Sequence, residues 1–185
     1  MASMKGHLLI ASTGLVDSNF ARTVVLIAAH GEEGALGLIV NREMNMPLQQ
    51  IWGQVSQSEC SRPGNVRHGG PVGGTLMAVH DLRPHANLIV TEDMYLATEL
   101  HDMESLAGSD EGQVVFYIGH SGWGPGQLEN ELAEGSWLML PAEAQHVFGN
   151  RDLNALWKES MTEVGRRQIH SVFPIKHVPD DPSLN

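Results

Sequence analysis

The sequence predicts an α+β fold in a single domain, from three observations. The chain has 185 residues, a length typical of one domain. Its hydrophobic fraction of 42% and charged fraction of 18% are those of a globular protein. Strand-like and helix-like segments are mixed, without the regular βαβ alternation of a doubly wound sheet. We therefore expect one domain over residues 4–177, a cloning remnant at 1–3 and a loose tail at 178–185.

The N-terminal segments predict a β-hairpin. Residues 8–11 are apolar and strand-like, and residues 22–29 form a longer run rich in β-branched side chains. A short connection with two glycines, 30–34, leads to a second apolar run, 35–40. This pattern predicts that 22–29 and 35–40 pair as antiparallel strands in the core sheet.

A short helix is predicted to begin at Pro47, because proline is tolerated in the first turn of a helix. Its apolar residues recur at the spacing of one helix face: Leu48, Ile51, Trp52 and Val55. Residues 57–65 have no periodicity and predict a mobile loop. Further strands are predicted at 66–68, 75–80, 87–91, 113–118 and 136–140.

Four more helices are predicted, at residues 98–107, 127–133, 142–148 and from 151 to about 164. The first of these is expected to bury Leu100, Met103 and Ala107 and to end at Gly108. The last presents an apolar face that predicts packing against the sheet.

The charge of the chain disfavours direct contact with nucleic acid. Its formal charge is −11, and the only adjacent basic pair is Arg166 and Arg167. Nucleic-acid binding normally depends on clustered Lys and Arg that neutralise phosphates. A binding role through a protein partner or a small ligand is therefore favoured over a direct DNA contact.

The compartment is predicted to be the cytoplasm, without a membrane partner. No segment approaches the roughly 18 consecutive apolar residues of a membrane-spanning helix. The N-terminus lacks the apolar core and cleavage site of a signal peptide. Cys60 is the only cysteine, so neither an intramolecular disulfide nor a thiol-based zinc site can form.

A glycine-rich segment at 119–126 is the most distinctive motif. It lies between a predicted strand and a predicted helix, where Gly122, Gly124, Gly126 and Gln127 could present backbone N–H groups to an anion. It matches neither the dinucleotide fingerprint, which needs glycine where Gln127 stands, nor the nucleophile elbow, which needs glycine where Trp123 stands. The alternative is a tight turn that Trp123 anchors in the core.

A second glycine cluster, 69–74, precedes a predicted strand, and its simplest interpretation is a turn. We expect it to lie against residues 122–127, with Trp123 largely buried. A ligand site between the two loops would draw on the following residues: Gly70, His80, His120, Gly122, Gly124, Gly126 and Gln127.

The histidines do not predict a metal site. The chain has ten, but no pair has the i, i+4 spacing of a helical zinc site. Ser121 and Cys60 lack the sequence context of an activated nucleophile. The sequence therefore predicts no catalytic residue, no metal and no cofactor. Asp17, Arg22 and Asn41 are polar residues beside apolar strands, and they could cap loops or line a polar pocket.

Five segments, taken together, resemble the AlgH/YqgE family of bacterial proteins. They lie at residues 7–11, 17–25, 34–41, 69–72 and 122–129, in the family's order. One departure is His120, which stands where the family usually has tyrosine. The resemblance implies a strongly curved, partly barrel-like mixed sheet flanked by helices. It implies no catalytic residue or cofactor, although some members are labelled transcriptional regulators.

Two functional hypotheses remain open at this point. The first is a non-enzymatic regulatory or binding protein that acts through a protein partner or small ligand, and the sequence favours it. The second is an enzyme, or a sensor of a small molecule or anion, that uses a pocket between the two glycine-rich loops. A concave pocket that gathers His80 and His120 would favour the second.

Overall fold

The computed structural model describes residues 3–149 and 152–172, with side chains through Arg167. Within these residues the strands are β1 (His7–Ala11), β2 (Val24–Gly31), β3 (Gly34–Ile39), β4 (Glu43–Pro47), β5 (Asn65–His68), β6 (Val72–His80), β7 (Leu88–Ile89), β8 (Tyr95–Ala97), β9 (Val114–Trp123) and β10 (Trp137–Pro141). The helices are α1 (Leu48–Val55), α2 (Leu100–Ala107), α3 (Gln127–Ala133), α4 (Ala144–Phe148) and α5 (Leu153–Val172), with a 3₁₀ turn at Arg83–His85. The predicted domain boundary at 177, the tail and residues 1 and 2 lie outside the described residues.

The strands form a mixed sheet in the order β10-β1-β2-β3-β9-β6-β8-β7, and β4 and β5 join it at β9. The pairs are antiparallel except β5 with β9, which is parallel. The sheet curls until the segment after β7 approaches the start of β1, where a side chain at Gly6 would lie 3.0 Å from the Val90 carbonyl oxygen. The predicted α+β fold with a curved, partly barrel-like sheet is confirmed.

The β2–β3 hairpin is confirmed and forms the centre of the core. Val25 pairs with Ile39, and the register continues to Gly31 opposite Gly34. Val24 to Ala28 are fully buried, because both faces of β2 are covered. One face packs under α5, and the other packs with an aromatic cluster of Phe20, Trp123 and Trp137.

Several predicted boundaries are wrong, for local reasons. Residues 119–123 are not a turn but the second half of β9, because pairing with β3 gives this segment a strand partner. Leu100 is 43% exposed rather than buried, since α2 buries Met103, Leu106 and Ala107. Strands β4 and β8 were not predicted, and β4 lacks β-branched residues altogether.

The segment between α1 and β5 is irregular, as predicted, but Arg62 anchors it. This side chain is buried, with Nε donating to the Leu106 carbonyl at 2.8 Å and Nη2 to the Glu111 carbonyl at 2.6 Å. Burial lowers the pKa of Arg62, and the charges of Asp110 and Asp81 oppose that effect. A buried guanidinium that is bonded to carbonyls fixes the loop against α2.

Two glycines allow β9 to approach the segment before β6 closely. A side chain at Gly69 would overlap the carbonyl oxygen of Gly119, and one at Gly70 would overlap the backbone of His120. Gly70 also has a φ of +153°, which disfavours other residues. The 69–70 segment therefore packs against 119–121. The next part of β9 packs against β3 instead, where a side chain at Gly34 would overlap the Trp123 carbonyl oxygen. Trp123 is 5% exposed, as predicted.

His80 ends β6 with a buried imidazole. It is fully buried beside Tyr95, with ring centroids 5.9 Å apart, and neither ring nitrogen makes a hydrogen bond of normal geometry to a described residue. Burial lowers the pKa of His80, and the nearby charge of His85 lowers it further, while Asp81 and the backbone of His85 and Leu82 oppose this shift. The native state therefore holds this ring neutral.

We predict that Gly69→Ala destabilises the fold by about 1–3 kcal/mol, because its methyl group has no room beside Gly119. Gly73→Ala is the matched control, since a side chain there meets nothing within 4 Å. It should change stability by less than about 0.5 kcal/mol. Urea unfolding of both variants measures the difference, and equal midpoints would contradict the packing argument.

We predict that His80 makes the protein less stable as the pH falls below 6.5, the ordinary histidine pKa. The native-state pKa is lowered, so the unfolded chain takes up a proton that the native state resists, and the free energy of unfolding decreases. His80→Phe should flatten this dependence, whereas His101→Gln, at an exposed position, should keep it. Equal slopes for the wild type and His80→Phe between pH 6.5 and 5 would refute the assignment.

Candidate functional site

A polar groove of about 1010 Å³ lies where β3, β4 and β5 meet the start of α5. Amide and charged side chains dominate its lining. The described lining residues are Asn19, Asn41, Arg42, Glu43, Met44, Asn45, Asn65, Arg67, His68, Gly149, Asp152, Leu153 and Asn154. The size is that of a small-molecule site, and the lining is more polar than most such sites.

Asn41 shapes one wall of the groove by capping the turn before β2. Its Oδ1 accepts a hydrogen bond from the Val24 N–H at 2.8 Å, and its Nδ2 donates to the Arg22 carbonyl at 3.0 Å. Arg22 has a φ of 57°, the only positive value of a non-glycine residue in the described part of the chain. The Asn41 amide therefore stabilises the strained backbone at Arg22, in the turn that places Asn19 in the groove lining.

Arg42 follows directly and fastens the same turn. Its Nη2 donates to the carbonyls of Ser18 and Ala21, at 3.3 and 3.4 Å. These bonds are long, and Nε and Nη1 make none within the described residues. The turn thus positions the half-buried guanidinium, and the N–H groups of Nε and Nη1 remain free to donate to a ligand.

Arg67 lies on β5 on the other side of the groove. Its Nη1 donates to the carbonyls of Val40 and Val147, at 3.0 and 2.9 Å, and lies 3.5 Å from the Tyr117 hydroxyl. Burial raises the pKa of Tyr117, and the charge of Arg67 opposes that effect. Through Nη1 alone, Arg67 therefore connects β5 to Val40 after β3 and to α4. Its Nε and Nη2 make no hydrogen bond to a described residue.

Neither arginine is paired with a carboxylate in the described residues, although two acids line the groove. Asp152 caps the first turn of α5, with Oδ1 accepting from the Asn154 N–H at 2.9 Å. Glu43 is exposed on β4, opposite Arg67 in the strand register, and it is not within ion-pair distance of Arg67. The groove thus holds two guanidinium groups that form no ion pair within the described residues, in a chain of charge −11.

The remaining polar side chains of the groove also keep free hydrogen-bonding capacity. The side-chain amides of Asn19, Asn45 and Asn65 make no hydrogen bond to another described residue, and neither does the ring of His68. These side chains offer both donors and acceptors, and the two arginines add donors alone. The arrangement suits a polar ligand that carries negative charge.

The structure does not bring the predicted ligand residues together. His80 lies at the end of β6, paired with Val114, whereas His120 lies on β9, paired with Val72 at the start of β6. The six residues of β9 from 114 to 120 correspond to about 20 Å. His120 is half-buried, and its Nδ1 has no hydrogen-bond partner.

The glycines of the predicted site occupy two further places. Gly70 is buried against β9, and Gly122 is exposed on that strand. Gly124, Gly126 and Gln127 begin α3, where the Gly124 N–H donates to Gln127 Oε1 and the Gln127 N–H to the Gly124 carbonyl, both at 3.1 Å. A ligand role for these residues stays a prediction, while the contacts of Gly70 and Trp123 agree with the packing alternative.

The described residues contain neither a candidate metal cluster nor a membrane-spanning helix. Residues 3–149 and 152–172 contain no group of three His, Cys, Asp or Glu side chains that could hold a metal ion. In the same ranges no helix is both long enough and apolar enough to span a bilayer.

Sequence reasoning missed most of the groove. Asn41 was recognised as a candidate for a polar pocket, but Arg42, Arg67 and His68 were not. Asn41 and Arg42 directly follow a predicted strand, and polar residues at a strand end are the available signal for them. Arg67 is the central residue of another predicted strand and has no such signal. Single arginines have no diagnostic spacing, and only the tertiary fold shows that they share a groove.

Comparison with known proteins places the chain in a family. The model of the AlgH-like family matches residues 8–168. A UPF0301 protein of Streptomyces avermitilis is 34% identical, with 100% of this chain and 97% of that protein covered. One from Stenotrophomonas maltophilia is 36% identical, with 88% and 90% covered. The solution structure of the AlgH protein from Pseudomonas aeruginosa is similar, with a TM-score of 0.73 at 25% identity over 96% of this chain and 97% of that one. The protein therefore belongs to the AlgH-like family.

Proposed function

We propose that this AlgH-like protein is a non-enzymatic binding protein with a regulatory role, and that it takes a small polar ligand in the groove between Arg42 and Arg67. The observation that carries the proposal is the set of donors there that make no bond within the described chain. Two of the segments that carry the family resemblance, 17–25 and 34–41, supply the Asn19 and Asn41 wall. The regulatory part rests on the label given to some family members, and a cytoplasmic location stays a prediction.

The composition of the groove supports binding rather than catalysis. Nucleophilic catalysis uses an activated hydroxyl, thiol, amine or carboxylate, and general acid–base catalysis needs a positioned proton-transfer group. Of the two carboxylates in the lining, Asp152 caps α5 and Glu43 is exposed on β4. The described lining contains no Ser, Thr, Cys or Lys. His68 makes no hydrogen bond to Glu43 or Asp152 that would orient it as a base. The side chains can hold and orient a ligand without a group positioned to break its bonds.

We predict that a small molecule from the extract of a bacterial host binds the full-length protein at the groove and leaves it unchanged. In two-dimensional NMR, the largest shifts of backbone amides should fall at 41–45 and 65–68, because these residues line the groove on adjacent strands. Mass spectrometry should recover the ligand with its original mass after prolonged incubation.

Two results would contradict this proposal. Shifts centred on 122–127 and 69–74 would instead favour a site at the glycine-rich segments. Conversion of the recovered ligand into a product would show an enzyme.

We also predict no specific binding to duplex DNA at physiological salt. The formal charge of −11 repels phosphates, and the two groove arginines are too few to release many counterions. Fluorescence anisotropy with promoter fragments from a host genome measures this directly. Sub-micromolar, sequence-dependent affinity that persists as salt is raised would mean that the regulatory role includes direct DNA contact.

A further inference from the structure

We propose that the groove recognises a phosphate group on a small polar molecule, with Arg42 and Arg67 contacting the phosphate and the amide side chains contacting the rest of the ligand. This inference rests on the proposed function and names the chemical class of its ligand.

The two groove arginines are held by backbone carbonyls and form no ion pair within the described residues. The protein has 22 acidic residues and only 11 Lys and Arg, so most basic side chains could find a carboxylate. Arg167, for example, bonds Glu163 at 2.6 Å. Arg42 and Arg67 instead bond backbone carbonyls, which orient a guanidinium without neutralising its charge. Their charge is therefore shared only with the more distant carboxylates of the groove, Glu43 and Asp152, which lie beyond ion-pair distance.

The register of β4 and β5 brings both arginines to the groove. Glu43 is the partner of Arg67, and the His68 N–H donates to the Arg42 carbonyl at 2.8 Å. Arg42, which directly precedes β4, therefore lies opposite His68, the neighbour of Arg67 in the chain, and both arginine side chains line the groove. Because each side chain is already anchored through one nitrogen, little further rotamer entropy is lost when a ligand binds.

Phosphate matches this donor arrangement better than carboxylate does. A carboxylate is planar, and a single guanidinium satisfies it through two parallel hydrogen bonds. A phosphate group presents three oxygens in different directions, so it can accept from two guanidinium groups on separate elements. At neutral pH it also carries about −1.5 to −2 charge, which balances two arginines.

The size and polarity of the groove define the rest of the ligand. A volume of about 1010 Å³ is far larger than a bare ion needs. Met44 and Leu153 are the only large apolar side chains in the described lining, which disfavours a lipid chain. Asn19, Asn45 and Asn65 each offer a donor and an acceptor, the pattern that binds hydroxyl groups. A sugar phosphate or a similar polyol phosphate fits these features.

The test measures binding of ribose 5-phosphate, ribose, inorganic phosphate and citrate to the full-length protein by isothermal titration calorimetry. We expect ribose 5-phosphate to bind at least tenfold more tightly than ribose or citrate, and its affinity to fall as salt is raised. Arg42→Gln should weaken binding about 10- to 100-fold, the usual effect of losing a charge-assisted hydrogen bond. Arg42→Lys should recover part of the loss, because it restores charge without the planar fork.

Two variants serve as matched controls. Glu43→Gln removes a carboxylate that faces the same groove, and we expect it to tighten binding of ribose 5-phosphate a few-fold. Arg83→Gln removes an exposed arginine outside the groove and should leave the affinity unchanged. Thermal unfolding confirms that each variant is folded. Arg67 is not the primary target, because it supports Val40 and Val147.

The outcomes separate this inference from the proposed function. Equal affinity for ribose and ribose 5-phosphate, or binding that Arg42→Gln and Arg83→Gln change equally, overturns the phosphate assignment. If a neutral ligand from the host extract maps to 41–45 and 65–68, the inference fails and the proposed function stands. If extract ligands map elsewhere and no probe binds, both fail.

Discussion

The close contact of two backbones, Gly69–Gly70 against Gly119–Ser121, holds the two halves of the sheet together. On one edge of β9, Gly69 donates to the Ile118 carbonyl and accepts from the Ile39 N–H, each at 2.8 Å, so it joins β9 to β3. Ser121 Oγ adds a bond to the Gly69 carbonyl from a fully buried position. Because a methyl group at either glycine would overlap β9, this junction depends on the absence of side chains.

The groove is a consequence of that junction. Parallel pairing of β5 with β9 places Arg67 opposite the buried Tyr117, and the antiparallel pairing of β4 with β5 places Arg42 next to it. Residues that are separated by 25 positions in the chain thereby share one surface. The strained turn at Arg22 closes the wall, since Asn41 and Arg42 both bond its backbone.

The sequence predicted what depends on local pattern and missed what depends on pairing. The hairpin of β2 and β3 followed from two apolar runs and a glycine-bounded connection, and the buried Trp123 followed from its being the only large apolar side chain in its segment. The strand character of 119–123 was not predictable, because glycines usually mark turns and only β3 makes this segment extended. His80 and His120 were grouped by residue type, and the register of β6 with β9 separates them.

The way the two arginines are held explains why the candidate site was hard to predict. Arginine–carboxylate pairs on a helix are visible in a sequence as an i, i+4 spacing, as with Glu163 and Arg167. Arg42 and Arg67 are instead held by carbonyls of turns and strand ends, which have no sequence signature. Backbone carbonyls orient the two guanidinium groups but do not neutralise their charge. The fold therefore presents two oriented positive charges at the groove. A ligand bound as proposed would link the 18–21 turn, Val40 and α4 through the two arginines, and its binding would therefore stabilise the native fold.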